Sequence, residues 1–127
     1  MRKAISVEEL GEPIGAYSIG VWAGPTLYLS GVTGITDELL AKPDMAQETK
    51  NAMMEAKIAL ESQGLSFADV VEARIYMTNI GKFSEMNDAY KSFFEQPYPA
   101  RATVEISKLA GDANVEIVLT AYAPSKA

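Results

Sequence analysis

Between Val70 and Ile106 the chain changes hydrophobic period twice, and that switching narrows its possible folds more than any other feature. Val71, Ala73, Ile75 and Met77 alternate with Val70, Glu72, Arg74 and Tyr76, the period-two pattern of a strand with two different faces. From about Lys82 to Phe94 the apolar residues Phe83, Met86, Tyr90, Phe93 and Phe94 recur at helical spacing, an aromatic stripe that reads as core packing. Alternation resumes after Pro99, with Ala102, Val104 and Ile106 on one face and Arg101, Thr103 and Glu105 on the other.

The amino-terminal part supplies the remaining elements. Tyr17 to Ala23 and Thr26 to Thr33 flank Gly24-Pro25, which predicts a hairpin, and a short extra strand is expected near Lys3 to Val7. Gly34 to Pro43 reads as a loop. Asp44 can cap a helix from Met45 to Gln63, with Thr49, Ala52, Met53, Ala56 and Leu60 on its apolar side and Gly64 as its stop. Ser66 to Asp69 reads as one capped turn. The order is strand-strand-helix-strand-helix-strand-strand, so residues 1–127 are expected to form one α+β domain with two helices on one face of a mixed sheet.

Two helices leave the other face of such a sheet bare. That face carries Tyr28, Tyr76, Val118 and Tyr122, more apolar area than a surface open to water normally shows. A second copy of the chain is the simplest cover.

The last two strands also carry chemistry. Val115, Ile117, Leu119 and Ala121 share one face of the final strand, and Glu116, Val118, Thr120 and Tyr122 share the other. An arginine keeps its charge at every physiological pH, and its planar fork matches a carboxylate through two parallel hydrogen bonds. Two readings of Arg101 follow. It forms an internal ion pair with Glu116 or Glu105, or it awaits a substrate carboxylate while Glu116 handles a water molecule.

Composition removes several classes of function. The chain has neither cysteine nor histidine, so it lacks disulfides, nucleophilic thiols, the commonest general base and the commonest transition-metal ligand. A net charge of −6 opposes a sequence-independent grip on nucleic-acid phosphates. No apolar run approaches the ~20 residues of a membrane span, and the start of the chain has no signal-peptide core, so a cytoplasmic address is expected.

Several segments together resemble the reactive intermediate deaminase (RidA/YjgF) family. They are Gly15-Ala16-Tyr17-Ser18, Leu29-Ser30-Gly31, Phe83 to Tyr90 with Phe93-Phe94, Pro99-Ala100-Arg101 and Val115-Glu116-Ile117. The resemblance runs through nearly the whole chain. It implies a chorismate-mutase-like α+β fold, a homotrimer with clefts between subunits, and hydrolysis of reactive 2-imino or enamino acids to 2-keto acids and ammonia. No metal or organic cofactor is implied, nor any nucleic-acid or membrane partner.

The same resemblance implies that Arg101 binds the substrate carboxylate and that Glu116 holds or activates the attacking water. Tyr17, reaching in from a neighbouring subunit, Ser30 and Asn87 match residues around the pocket, and Gly31 and Thr103 match positions whose backbone meets the ligand. Each has a plainer reading: Ser30 as a strand-to-loop hydrogen bonder, Asn87 as a cap or crosslink, Tyr17 as interface packing. Ala16, Ile19, Val32 and Thr103 depart from the family's usual residues, which leaves substrate size open. A specialised catabolic deaminase of a larger, aminomuconate-like enamine and a non-catalytic carboxylate binder are the alternatives.

Overall fold

The computed structural model describes residues 1–126 and contains one seven-stranded sheet with its helices on a single face. The strands are β1 (Arg2–Ile5), β2 (Gly20–Ala23), β3 (Thr26–Leu29), β4 (Val32–Thr33), β5 (Val70–Met77), β6 (Ala100–Glu105) and β7 (Val115–Tyr122). The helices are α1 (Asp37–Ala41), α2 (Met45–Ser62) and α3 (Phe83–Lys91). Across the sheet the order is β1-β2-β3-β7-β5-β6, and β4 also pairs with β7. Only β5 and β6 are parallel, and α3 makes the crossover between them. The expected α+β architecture is present.

α2 forms where the pattern places it. Asp44 Oδ1 accepts the Gln47 N–H at 3.1 Å, and Gly64 ends the helix at φ 74°, a conformation that costs a glycine little. Ala52, Met53, Ala56 and Leu60 face the sheet, fully buried against Leu27, Ile75, Ile117 and Leu119. The Ser66–Asp69 turn carries the expected capping box. Trp22 of β2 lies beneath α2, 6% exposed, and its indole N–H donates to Gln63 Oε1 at 2.9 Å.

The structure corrects four local expectations. Residues 37–41 form a short helix inside the segment read as a loop, because Thr36 Oγ1 accepts the Leu39 N–H at 3.2 Å and Leu39 is buried. Strand pairing starts only at Gly20, so Tyr17 to Ile19 are loop. A register shift between Val70 and Glu72 buries Val70 and exposes Val71, reversing the facing expected at the start of β5. The second helix ends at Lys91, and Phe93 and Phe94 pack around Phe67 from the turn that follows, with ring centroids 5.5 and 5.2 Å apart.

Another interruption lies between β3 and β4. Tyr28 pairs with Thr120 and Val32 with Ile117, so Leu29, Ser30 and Gly31 stand opposite only Leu119 and Val118. The extra residue bends the chain at Ser30-Gly31, as a β-bulge does. The sheet face away from the helices is open in the single chain, with Tyr28, Tyr122 and Val104 each about half exposed.

Candidate active site

β6 presents Arg101 to the helix side of the sheet. It stands beside buried Ala73 of β5, and α3 brings Phe83, Asn87 and Tyr90 against it from the neighbouring layer. These three residues follow i, i+4, i+7 spacing on α3 and so share one helix face. The guanidinium Nη1 donates to Asn87 Oδ1 at 2.7 Å. Its central carbon lies 5.4 Å from the Phe83 ring centroid and 5.0 Å from that of Tyr90. Two aromatic faces and one amide oxygen therefore aim the cation without neutralising it. The side chain remains exposed, and Arg101 with Asn87, Tyr90 and Tyr98 lines an open cavity of about 520 Å³.

Burial pushes the Tyr90 phenol up to about 12, although the nearby Arg101 charge pulls the other way. Its hydroxyl and that of Thr103, which lies two residues beyond Arg101 on the same face of β6, are the two buried side-chain oxygens without a hydrogen-bond partner among the described residues.

A second group of residues gathers on β7 and the 29–31 bend. Glu116 projects from the open face of the sheet, because its neighbours Val115 and Ile117 are fully buried beneath the helices. It is flanked by Thr33 of β4 and Tyr76 of β5. A methyl group added at Gly31 would stand 2.7 Å from the Glu116 carboxyl carbon, so only glycine lets the bend come this close. Ser30 donates its hydroxyl to the Ser18 carbonyl at 2.6 Å, and its main-chain N–H donates to Ile19 at 2.9 Å. The plainer reading of Ser30 holds in that respect: it ties the 17–19 loop, with half-exposed Tyr17, to the strand bend. Tyr17, Ser30 and Gly31 line one cavity of about 210 Å³.

The seven residues singled out from sequence thus fall into two sets. Arg101, Asn87 and Thr103 form one on the helix side, and Tyr17, Ser30, Gly31 and Glu116 form the other around the bend. Neither internal ion pair forms. Arg101 and Glu116 point from opposite faces of the sheet, and Glu105 Oε1 accepts the Ile80 N–H at 2.9 Å instead. The ion pairs among the described residues are Arg74–Glu72 and Lys91–Asp88, both exposed. Sequence reading treated Phe83 and Tyr90 as core alone. Their spacing with Asn87 was the available signal that they also frame Arg101. Among the described residues no helix is long and apolar enough to cross a membrane.

The chain is 38% identical to a 2-iminobutanoate/2-iminopropanoate deaminase of Dermatophagoides farinae, covering 91% of this chain and 92% of that protein. It is 34% identical to the Bos taurus protein of the same name, over 92% of this chain and 87% of the relative. Among solved structures, Yersinia pestis YyfA of the conserved Rid family superposes with a TM-score of 0.87 at 30% identity, covering 96% of this chain and 99% of that one. Escherichia coli TdcF, solved with bound serine, gives a TM-score of 0.83 at 27% identity, with 94% and 98% covered. Residues 8–123 match the family profile described as endoribonuclease L-PSP. With that profile spanning most of the chain and relatives above 30% identical along nearly its whole length, the chain belongs to this family, also called YjgF/RidA.

Proposed function

We propose that the chain is a hydrolytic deaminase of reactive 2-imino and enamino acids, acting as a homotrimer whose clefts pair Arg101 of one copy with Glu116 of the next. One observation carries this reading. Arg101, cradled by an amide oxygen and two aromatic rings, and the carboxylate set against the Gly31 bend leave opposite faces of one sheet. A single chain cannot direct both at one small molecule. Two copies can, and the half-exposed tyrosines of the open face give them apolar area to bury. The names of the relatives and the serine bound to the Escherichia coli protein, itself a small 2-amino acid, support the substrate class.

Arg101 clamps the substrate carboxylate through two parallel hydrogen bonds, with Asn87 holding the guanidinium plane. This fixes the imine carbon relative to Glu116 and removes much of the entropy cost of the encounter. The Glu116 carboxylate accepts a proton from water as its oxygen bonds to the imine carbon, giving a carbinolamine. With the imine entering protonated on nitrogen, Glu116 returns that proton to the nitrogen. As the C–N bond breaks, the carbinolamine hydroxyl passes its own proton to the freed carboxylate, 2-keto acid and ammonia leave, and Glu116 releases the remaining proton to solvent. Atoms balance with one water consumed, and no covalent enzyme intermediate is needed. Although the family profile carries an endoribonuclease name, the net charge of −6 and the absence of histidine oppose RNA cleavage here.

The test is to generate 2-iminopropanoate and 2-iminobutanoate in situ and follow their decay with and without the protein, with light scattering on the same sample. Faster decay by a trimer supports the reading. No acceleration, or a monomer at micromolar concentration, overturns it. Binding of 2-oxobutanoate without turnover would instead identify a carboxylate-binding protein.

A further inference from the structure

Among the described residues Glu48 is the one charged side chain buried in the core, 1% exposed at the start of α2, and the reaction proposed above does not use it. A buried carboxylate is costly unless its oxygens are satisfied, and these are. Oε2 accepts the main-chain N–H groups of Asn114 and Val115 at 2.6 and 3.2 Å, and Oε1 accepts the Asn114 amide at 3.0 Å. No lysine or arginine lies within ion-pair distance of it among the described residues. Its place in the first turn of α2 lets the positive end of the helix dipole offset part of its charge.

What Glu48 holds is the start of β7. The N–H groups it captures belong to the two residues immediately before Glu116. Asn114 is fastened to the end of β5 as well: its carbonyl accepts the Thr78 N–H at 3.1 Å, and its Oδ1 accepts the Thr78 hydroxyl at 3.3 Å. One helical turn later, Asn51 donates to the Gly34 carbonyl at 3.0 Å. Gly34 follows Thr33, the residue that pairs with Glu116 across the ladder. Gly34 is also packed so tightly on α2 that a side chain there would collide with the Glu48 carbonyl oxygen. The first two turns of α2 thus grip both strands that carry or flank the catalytic carboxylate.

Resting on the proposed deaminase reading, we propose that Glu48, assisted by Asn51, is a positioning residue that fixes Glu116 where it meets the water. A purely structural buried glutamate would affect folding alone. A positioning residue affects the step that Glu116 performs and spares the carboxylate clamp, which lies on β6 and α3.

The experiment compares Glu48→Ala and Glu48→Gln with the parent trimer. In Glu48→Ala, kcat for 2-iminopropanoate should fall about 10- to 100-fold, while KM and the Kd for 2-oxobutanoate move less than about twofold. Amide exchange at Val115 and Glu116 should quicken. Glu48→Gln keeps an oxygen that can accept both main-chain N–H groups and should recover most of kcat. A folded Glu48→Ala trimer with the parent kcat, or one that loses only substrate affinity, overturns the proposal. Should Glu48→Ala fail to fold, Asn51→Ala decides, since it removes only the bond to the Gly34 carbonyl and one accepted from the exposed Gln47 amide, both at the helix surface: a lower kcat at constant KM supports the proposal, and an unchanged kcat overturns it. Failure of the deaminase reading is distinguishable, because the parent protein itself would then be inactive, and the proposal would fall with it.

Discussion

Gly31 and Glu116 are so close that a single added methyl group at residue 31 would reach 2.7 Å from the carboxyl carbon. The atoms met belong to the end of a flexible side chain and not to the backbone. Gly31→Ala should therefore fold and assemble with a melting temperature within about 4 °C of the parent. Glu116 would rotate away, and kcat for imine hydrolysis should fall at least ~10-fold. A Gly31→Ala protein with parental turnover would show that the rotamer of Glu116 is unimportant to the reaction.

Glu116→Gln tests the proton-handling role itself. The amide keeps the shape and can still accept a hydrogen bond but cannot shuttle a proton, so kcat should drop about 10²-fold or more with 2-oxobutanoate binding retained. Isothermal titration with 2-oxobutanoate beside the decay assay separates the two properties. Full turnover at a lowered melting temperature would leave Glu116 a structural residue.

The Arg101 cradle makes the reverse split. Arg101→Lys retains charge but has no planar fork for the carboxylate and a weaker match to the Asn87 oxygen, so it should not restore function to Arg101→Ala. Asn87→Ala leaves the guanidinium resting on the Phe83 and Tyr90 rings but free to pivot, and KM should rise more than kcat falls. Equal losses of both parameters in Asn87→Ala would place the asparagine nearer the chemistry than this geometry does.

Opposite facing of the two charges predicts complementation. Arg101→Ala and Glu116→Gln chains, each inactive alone, should regain activity when unfolded together and refolded as mixed trimers. A random equal mixture restores about a quarter of the clefts, since each needs the intact arginine from one parent and the intact glutamate from the other. Activity that stays at background in verified mixed trimers would sink the shared-cleft arrangement.

Tyr90 predicts an alkaline effect of defined sign. Its pKa is raised from 10.0 to about 12 by burial, so an unfolded chain ionises this phenol while the folded chain keeps it neutral. The unfolded state therefore holds fewer protons between those values, and stability falls as pH rises through that window. Tyr90→Phe, which keeps the ring beneath Arg101, should flatten that part of the stability–pH curve. Thermal melts from pH 9 to 12 provide the check, and parallel curves for the two proteins would refute it.

The two long helices, the hairpin and the capped turn at Ser66 were legible because each rests on local chemistry: a cap, a stop, or a period held over many residues. α1 was not, because Gly34 and Pro43 enclose it and five residues are too few to establish a period. The Thr36-Asp37-Glu38 start was its one cue. The exchange of faces at Val70 and Val71 depends on a register shift against β7, which no property of β5 itself encodes. The candidate site divides in the same way. Alternation within β6 and β7 correctly separated the faces of each strand. It could not say which face of β6 meets α3, and that relation decides whether Arg101 can reach Glu116.

The chain's single tryptophan now acquires a use beyond packing. Trp22 is buried beneath the last turn of α2, with its indole bonded to Gln63, on a strand that carries none of the proposed catalytic groups. Its fluorescence should report whether the helix layer remains docked on the sheet and should be insensitive to which charge is missing from a cleft. An emission maximum that stays blue while activity disappears marks a disabled cleft, whereas a red shift marks a protein that has come apart. The sequence thus supplies its own internal optical standard, readable in every variant without a label.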